Sequence, residues 1–216
     1  MSILTHSSFP PGFAHYPLYF TSDQQADLID AVKNGVIEAP FFQPTMPRTG
    51  TPLSVVMSNF GSLGWVTDKE GGYRYQAQHP TTGASWPSLP TSLRDLWQAV
   101  TDWPGLPEAC LINWYRAEAH NGKGARMGMH VDNDEHVLGA PVVSVSLGDP
   151  ALFRIGGEKR GGKTAGLKLF SGDVVVLAGQ ARRCYHGVSR VYYGESALVP
   201  KGGRINLTMR VVGAPD

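Results

Sequence analysis

The chain has 216 residues and a formal net charge of +1; only 17% of its residues are charged, whereas 26 are glycine and 16 are proline. This length allows one sizeable core, and so many turn-forming residues favour a strand-rich fold over a helical bundle. No apolar run approaches the length that crosses a bilayer, and the first basic residue is Lys33, so we expect neither a membrane anchor nor a signal peptide.

The amino-terminal residues 1–39 are predicted to form an irregular segment followed by one helix. The first twenty residues are rich in proline and aromatic residues and show no clear period. Ser22 followed by Gln25 has the spacing of a capping box, and Gly35 is a stop signal. The apolar face of this helix would consist of Ala26, Ile29 and Val32. We expect the helix to buttress a sheet.

Residues 40–90 differ from the rest, because prolines interrupt their start and glycines alternate with aromatic residues further on. Leu53–Asn59 is predicted to be a strand, and the segments around Trp65 and around Tyr73 and Tyr75 follow it. Two interpretations are open. One is a mobile flap that carries stacking surfaces; the other, slightly favoured by composition, is a hairpin whose aromatic side chains pack onto the core.

A second helix is predicted after Thr91 or Ser92, because apolar residues recur at the spacing i, i+3, i+4 and i+7. These residues are Leu93, Leu96, Trp97 and Val100. Further on, short apolar runs alternate with glycine turns, a pattern typical of an antiparallel sandwich or jelly roll. The predicted strands are Cys110–Tyr115, Val142–Leu147, Leu152–Ile155, Leu167–Phe170, Val174–Ala178, Cys184–Val188 and Arg204–Val212.

Positive charge is concentrated in residues 151–210, which contain 11 Lys or Arg against three acids, a local balance of +8. This favours an anionic partner that meets one face of the protein. The alternative is that some of the arginines face inward and bind a small acid. Cys110 and Cys184 both lie in apolar runs, so we expect buried, inert thiols in a reducing compartment.

His130 and Asp132 are the first candidate pair for chemistry. If their stretch is extended, both side chains leave the same face, as two ligands of a 2-His-1-carboxylate iron site would. The pattern His-x-Asp is common by chance, and a polar loop with solvated acids is the alternative. Among the seven histidines, His186 is the best candidate for a third ligand, because it lies in a predicted strand shortly before the last one.

The last predicted strand alternates strictly between apolar and polar residues. One face would carry Ile205, Leu207, Met209 and Val211, and the other Arg204, Asn206, Thr208 and Arg210. Such a polar face could simply be solvated. Alternatively, the two arginines could bind the two ends of a dicarboxylate, because a planar guanidinium forms paired bonds with a carboxylate.

Taken together, these motifs resemble the AlkB family of Fe(II)/2-oxoglutarate dioxygenases, which dealkylate nucleic acids. The resemblance rests first on His130-x-Asp132, His186 and the run from Arg204 to Arg210. Further matching segments are Asn59–Trp65, Trp86–Pro90, Leu111–Tyr115, Pro141–Gly148, Gly172–Val176 and Tyr185–Gly187. The match spans residues 40–212, and the bacterial founding member is the most similar.

The resemblance implies roles for individual residues. The Fe(II) ligands would be His130, Asp132 and His186. The residues that bind 2-oxoglutarate would be Asn113, Tyr115, Arg204, Asn206 and Arg210. The substrate-binding residues would be Trp65, which would stack on the flipped base, and Tyr73, Tyr75, Asp134 and Arg160. Glu135 and His136 are expected to be solvated neighbours.

The resemblance also implies an architecture: a mainly β protein with flanking helices (α+β), built on a double-stranded β-helix of the jelly-roll, cupin-like kind. We expect a single catalytic domain over residues 1–216, monomeric and cytoplasmic. Residues 1–39 would be the buttress, residues 40–90 a nucleotide-recognition flap and residues 105–214 the jelly-roll core.

The implied activity is oxidative dealkylation of bases such as 1-methyladenine and 3-methylcytosine in single- or double-stranded DNA, or in RNA, in the repair of alkylation damage. It would consume 2-oxoglutarate and O2 at Fe(II). One alternative is a 2-oxoglutarate-dependent hydroxylase of tRNA, protein or a small metabolite, because the loop at residues 116–128 looks longer than in the bacterial founding member. Another is a non-enzymatic sandwich that binds nucleic acid.

Overall fold

The computed structural model describes residues 8–118 and 124–213, in which two helices and twelve strands lie. Part of the long loop predicted at residues 116–128 therefore lies outside the described residues. The helices are α1 (Ser22–Glu38) and α2 (Thr91–Val100). The strands are β1 (Phe13–Tyr16), β2 (Val56–Gly61), β3 (Gly64–Asp68), β4 (Gly72–Gln76), β5 (Ala109–Tyr115), β6 (Met127–His130), β7 (Val142–Gly148), β8 (Ala151–Ile155), β9 (Ala165–Leu169), β10 (Val174–Leu177), β11 (His186–Val191) and β12 (Arg204–Arg210).

Strand β1 lies in the segment that was expected to be irregular, and that expectation is wrong. The four residues pair antiparallel with β10, with Tyr16 opposite Val174, and extend the edge of the larger sheet. The pairing partner is far away in sequence, so local periodicity over four residues gives no signal for it.

Helix α1 begins and ends differently from the prediction. Its capping box consists of Thr21 and Gln24, one residue earlier than expected, and the helix continues past Gly35 to Glu38. A Cβ atom at Gly35 would lie 2.6 Å from Cε1 of Phe60, so this glycine allows close approach of the helix to the sheet rather than ending the helix. The buried face is formed by Gln25, Leu28, Ile29 and Val32, whereas Ala26 is exposed.

Helix α2 confirms its prediction. Leu93, Leu96 and Trp97 are buried, and the indole Nε1 of Trp97 donates to the Gly105 carbonyl at 2.8 Å. Both helices share one apolar cluster with the outer face of the larger sheet.

The larger sheet has the order β1-β10-β7-β12-β5-β2, with antiparallel pairing throughout. Strand β12 lies between β7 and β5, and all seven of its residues are buried. Its apolar residues Ile205, Leu207 and Met209 pack in the same cluster as the helices. Arg204 is only 1% exposed, so the interpretation of a solvated arginine face is wrong.

The smaller sheet has the order β6-β11-β8-β9. Apolar residues of the two sheets meet in a shared cluster to which Val142 and Val175 contribute from the larger sheet and Phe153 and Ile155 from the smaller. Two antiparallel sheets that share a core, flanked by helices, confirm the predicted mainly β, jelly-roll class. Within the described ranges, neither helix is long and apolar enough to cross a membrane.

Strands β3 and β4 form a separate hairpin, which we call the flap hairpin, with Trp65 opposite Tyr75. Trp65 and Trp86 are buried, and a Cβ atom at Gly64 would lie 2.3 Å from Cε2 of Trp86. Tyr73, by contrast, is 47% exposed. The interpretation of packed aromatic residues therefore holds for the two tryptophans and fails for Tyr73.

The contact between Gly35 and Phe60 leads to a stability prediction. Gly35→Ala gains helix propensity but forces a methyl group into a buried ring, so we expect a net loss of about 1 kcal/mol in the free energy of unfolding. Asn34→Ala, at the exposed neighbouring position, is the control and should be neutral or stabilise by up to about 0.5 kcal/mol. Urea unfolding of both variants measures this; equal or greater stability of Gly35→Ala would contradict it.

Candidate active site

Strand pairing brings the three predicted metal ligands together. His130, the last residue of β6, lies opposite His186, the first residue of β11, and Asp132 follows β6 by two residues. The Nε2 atom of His130 lies 3.5 Å from Oδ1 of Asp132, and Nε2 of His186 lies 3.6 Å from Oδ2. One ligand atom from each residue lies within 4.8 Å of the other two. In the part of the chain that the structure describes, this is the only such group of His, Cys, Asp or Glu.

Hydrogen bonds to the backbone orient both imidazole rings. Nδ1 of His130 lies 2.8 Å from the Gly128 carbonyl, and Nδ1 of His186 lies 3.0 Å from the Cys184 carbonyl. A carbonyl oxygen only accepts, so Nδ1 carries the proton in each ring. In the neutral rings the lone pair is therefore on Nε2, directed toward Asp132, which suits a metal ligand.

Burial and charge set the ionisation of the ligands. Burial alone would raise the pKa of Asp132, but the Arg210 guanidinium and the two imidazoles hold it well below its usual range. Burial lowers the pKa of His186 to about 4, against the attraction of Asp132. At neutral pH the site therefore has an ionised carboxylate and a neutral His186, the forms in which these groups bind metal.

Arg210 bonds the carboxylate ligand rather than standing free. Its Nη2 donates to Oδ1 of Asp132 at 2.6 Å, and its Nη1 donates to Oε1 of Glu135 at 3.0 Å and to the Tyr75 hydroxyl oxygen at 3.1 Å. Only its Nε is buried without a hydrogen-bond partner. The two ends of the β12 polar face thus have different surroundings, since none of the described residues is an acid partner of Arg204.

Arg204 is a buried cation with unsatisfied donors. Its Nη2 donates to Oγ of Ser146 at 3.0 Å, and its guanidinium lies over the Tyr115 ring at 5.2 Å. Its Nε and Nη1 are buried and have no hydrogen-bond partner within residues 8–118 and 124–213, and the same is true of Oδ1 of Asn113. Burial lowers the pKa of Arg204, because charge is costly there without an anion. This corner of the site is suited to a ligand carboxylate.

Asn206, between the two arginines, is largely bonded to the protein. Its Nδ2 lies 2.7 Å from Oγ of Ser144 and 2.9 Å from the Val145 carbonyl, and its Oδ1 accepts from Thr208 at 2.7 Å. These bonds hold the amide in place on the floor of the site.

One cavity of about 560 Å³ joins these groups, a size within the usual range for ligand pockets. It is lined by twelve of the thirteen residues predicted for the site: His130, Asp132, His186, Asn113, Tyr115, Arg204, Asn206, Arg210, Trp65, Tyr73, Asp134 and Arg160. Tyr75 is not part of the lining, since its hydroxyl lies against Arg210 and Glu135.

Trp65 forms part of the cavity wall on the flap hairpin. Its Nε1 donates to Oδ2 of Asp134 at 2.8 Å, and its ring stacks on Tyr73 with centroids 5.8 Å apart. The side chain of Asn59 accepts from the backbone N–H of Trp65 and donates to its carbonyl, which fixes the start of β3. Arg160 is exposed at the tip between β8 and β9, and its guanidinium lies 5.8 Å from the Tyr185 ring centroid.

Glu135 and Arg182 are two site residues to which the sequence reasoning gave no role. Glu135, expected to be solvated, is 5% exposed and pairs with Arg210 and with Arg182, so that expectation is wrong. The cause is the buried position of both arginines, which no local pattern around Glu135 reveals. The one available signal was the excess of basic residues in 151–210, for which inward-facing arginines were one interpretation. Arg182, Arg204 and Arg210 are indeed all buried.

Comparison with known proteins gives consistent relationships. The family model described as the 2OG-Fe(II) oxygenase superfamily matches residues 12–210. The chain is 48% identical over 202 residues to an alpha-ketoglutarate-dependent dioxygenase AlkB homolog of Caulobacter vibrioides, covering 93% of this chain and 87% of that protein. It is 39% identical over 201 residues to the alpha-ketoglutarate-dependent dioxygenase AlkB of Escherichia coli, covering 91% and 89%. The solved structure of OsALKBH1 superposes with a TM-score of 0.78 at 30% identity, covering 97% of this chain and all of that one.

Two more distant relatives have names that state a substrate. A DNA N(6)-methyladenine demethylase of Arabidopsis thaliana, ALKBH1C, is 29% identical over 232 residues, covering 93% of this chain and 48% of that protein. The tRNA demethylase abh1 of Schizosaccharomyces pombe is 32% identical over 147 residues, covering 65% and 46%.

The different surroundings of the two arginines predict opposite effects on stability. Arg204→Met removes a buried charge that has no acid partner, so we expect the protein to be as stable or more stable by about 1 kcal/mol. Arg210→Met leaves Asp132 without its cation and Glu135 with one cation fewer, so we expect a loss of about 3–5 kcal/mol.

Chemical denaturation at neutral pH compares the two variants directly. With Fe(II) present, adding 2-oxoglutarate should raise the melting temperature of the unsubstituted protein by clearly more than that of Arg204→Met, which keeps the three metal ligands. A destabilised Arg204→Met, or an Arg210→Met as stable as the unsubstituted chain, would contradict this account of the two charges.

Proposed function

The chain belongs to the 2OG-Fe(II) oxygenase superfamily, and on that premise we propose that it oxidatively removes alkyl groups from N-alkylated bases of nucleic acids. The observation that carries this proposal is the cavity itself. A His-Asp-His group, a buried arginine without an acid partner and an aromatic hairpin wall all face the same space. A partly enclosed ligand group beside a stacking surface suits a flat, uncharged or cationic ring better than a long flexible substrate.

The ligand group fits Fe(II). His130 and His186 would each bind through Nε2, whose orientation is set by the Nδ1 bond to a backbone carbonyl, and Asp132 would bind through a carboxylate oxygen. Two imidazoles and one carboxylate leave open positions on the metal, as the 2-His-1-carboxylate class requires. Arg210 would hold the Asp132 carboxylate in its ionised form.

The corner around Arg204 fits one carboxylate of 2-oxoglutarate, which is a co-substrate of this family. Nε and Nη1 of Arg204 are free donors, and the Tyr115 ring beneath the guanidinium restricts its position. Asn113 offers a second free polar atom in the same corner. Asn206 would support the chain of the dicarboxylate from the floor, and the free Nε of Arg210 would face its other end. Two buried cations account for the preference for a dianion.

Bound Fe(II) would activate O2, the oxidant, so that an N-methyl group, 2-oxoglutarate and O2 become an N–H group, formaldehyde, succinate and CO2. The residues of this chain bind and orient the reactants. The apolar walls of the cavity limit water, which strengthens each ion pair within it. The position of the substrate methyl group relative to the metal would be set by the flap hairpin on one side and the β6 end on the other.

The flap hairpin supports the assignment of a base as the substrate. The Trp65 ring forms a flat wall of the cavity, and Tyr73 lies exposed beside it. Asp134 would accept a hydrogen bond from an exocyclic amino group, exchanging its present bond with the Trp65 indole. Arg160 would contact a backbone phosphate, and Tyr75 would hold the hairpin in position from behind.

A base that is stacked in a nucleic-acid duplex cannot enter the cavity, so it would be flipped out of the stack or presented in a single strand. Names of relatives support both kinds of nucleic acid, since one is a DNA demethylase and another a tRNA demethylase. We propose DNA with 1-methyladenine or 3-methylcytosine as the main substrate, in the repair of alkylation damage, and RNA as a second one.

The setting of the enzyme is part of the same proposal. We propose a single catalytic domain that works as a monomer in the cytoplasm, with residues 40–90 as its nucleotide-recognition flap. The two cysteines support a reducing compartment, because both are buried and unpaired.

The proposal is tested with oligonucleotides that carry one 1-methyladenine or one 3-methylcytosine, prepared as single- and double-stranded DNA and as RNA. With Fe(II), ascorbate and 2-oxoglutarate, mass spectrometry should show loss of one methyl group per succinate formed. His130→Ala should abolish both signals. Turnover of 2-oxoglutarate without demethylation of any oligonucleotide would defeat the nucleic-acid assignment and favour a hydroxylase of a protein or metabolite.

A separate prediction concerns the stacking wall. Trp65→Ala should lower kcat/KM for the methylated oligonucleotide by about 10- to 100-fold, because one base–aromatic stack is worth about 1–3 kcal/mol. The affinity for 2-oxoglutarate, measured by anaerobic titration with Fe(II), should fall by a much smaller factor than kcat/KM. The matched control is Phe170→Ala, an exposed aromatic outside the cavity, which should leave both quantities as they are. Equal losses in both variants would contradict a stacking role for Trp65.

A further inference from the structure

Glu135 is an enclosed acid beside the ligand group, and the proposed chemistry gives it no task. Its side chain is 0% exposed. Its Oε2 accepts from Nη2 of Arg182 at 2.9 Å, and its Oε1 accepts from Nη1 of Arg210 at 3.0 Å and from the Tyr75 hydroxyl. Both oxygens are thus engaged by side chains of the protein, so the contacts of Glu135 point to a positioning role.

The bond between Glu135 and Arg210 determines where the Arg210 side chain lies. Arg210 divides its two terminal nitrogens between Asp132 and Glu135, and the second acid keeps it from rotating about the first. Glu135 is itself held by Arg182, which also donates to the Asp132 carbonyl at 2.6 Å and the Ala140 carbonyl at 3.2 Å. Without the Glu135 carboxylate, Arg182 would be a buried cation with only carbonyl partners.

The bond between Glu135 and the Tyr75 hydroxyl connects Glu135 to the flap hairpin. Tyr75 lies in β4, and its cross-strand partner Trp65 donates to Asp134. The hairpin is thus bonded through one cross-strand pair to two consecutive acids of the segment that carries the metal ligands. Burial raises the pKa of Tyr75, so its hydroxyl stays protonated and available as a donor. If the hairpin lifts, Glu135 and Arg210 both lose the Tyr75 hydroxyl.

We infer that Glu135 is a positioning residue that fixes Arg210 against Asp132 and, through Tyr75, links this arrangement to the seating of the flap hairpin. The inference rests on the proposed function only in giving Asp132 a metal and Arg210 a co-substrate to bind. Linkage is reciprocal. A seated hairpin therefore favours binding of 2-oxoglutarate, and bound 2-oxoglutarate favours a seated hairpin.

The test uses the whole chain and the variants Tyr75→Phe and Glu135→Gln, with Tyr16→Phe and Glu38→Gln as matched controls outside the cavity. The first measurement is hydrogen–deuterium exchange of amides in residues 64–76, in protein without metal. We expect exchange to accelerate about tenfold in both variants and to stay unchanged in the controls. The effects of the two substitutions should be less than additive in the double variant, because Tyr75, Glu135 and Arg210 belong to one hydrogen-bonded group.

The second measurement is anaerobic titration with Fe(II) and 2-oxoglutarate, followed by the absorption that this pair produces on binding. The Kd for 2-oxoglutarate should rise about tenfold in Glu135→Gln and by a smaller factor in Tyr75→Phe. If Tyr75 only stabilised the fold, Tyr75→Phe would leave this Kd unchanged, because Tyr75 does not line the cavity.

Three results would overturn the inference: hairpin exchange at the control level in both single variants, additive effects in the double variant, or faster exchange with unchanged affinity for 2-oxoglutarate. Thermal unfolding checks that each variant is folded. If Glu135→Gln does not fold, Tyr75→Phe decides alone, since it removes one hydroxyl and keeps the ring. Failure of the proposed function would appear separately, as an unsubstituted protein that does not demethylate oligonucleotides.

Discussion

The ion pair between Arg210 and Asp132 is the interaction on which the rest of the site depends. The Arg210 guanidinium and the Asp132 carboxylate, 2.6 Å apart and both buried, keep the pKa of Asp132 low where burial alone would raise it. The ionised carboxylate and the Nε2 lone pairs of the two imidazoles face one another, in the forms in which these groups bind metal. A buried pair of this kind adds little stability in itself, but loss of one member is costly. The site is therefore built around charge that the fold must keep paired.

The two arginines of β12 show how one strand serves two purposes. Both lie on the same face, and both are buried between sheets. Arg210 is neutralised by acids of the protein, whereas Arg204 meets only a hydroxyl and an aromatic ring. Most donors of Arg210 thus bond groups of the protein, whereas two of the Arg204 nitrogens are open to an anionic ligand.

Much of the fold and part of the site could be predicted from local pattern. The alternation in Arg204–Arg210 and the spacing of Leu93, Leu96 and Trp97 were sufficient, because period alone determines which residues share a face. Local reasoning failed where a partner distant in sequence decides the outcome. Strand β1 exists because β10 lies beside it, and Gly35 stays within α1 because a buried ring of β2 passes close to it.

The stretch Met129–Glu135 shows which features follow from the sequence and which depend on the tertiary structure. The sequence by itself determined that His130 and Asp132 share a direction, that a third ligand is needed and that an AlkB-like set of motifs supplies it. Only the tertiary structure decided that His186 lies directly opposite His130, that Arg204 is free while Arg210 is paired, and that Glu135 is buried rather than solvated. The physical reason is that directions within a strand follow from the backbone, whereas burial and pairing of charge depend on which strands and hairpins meet in space.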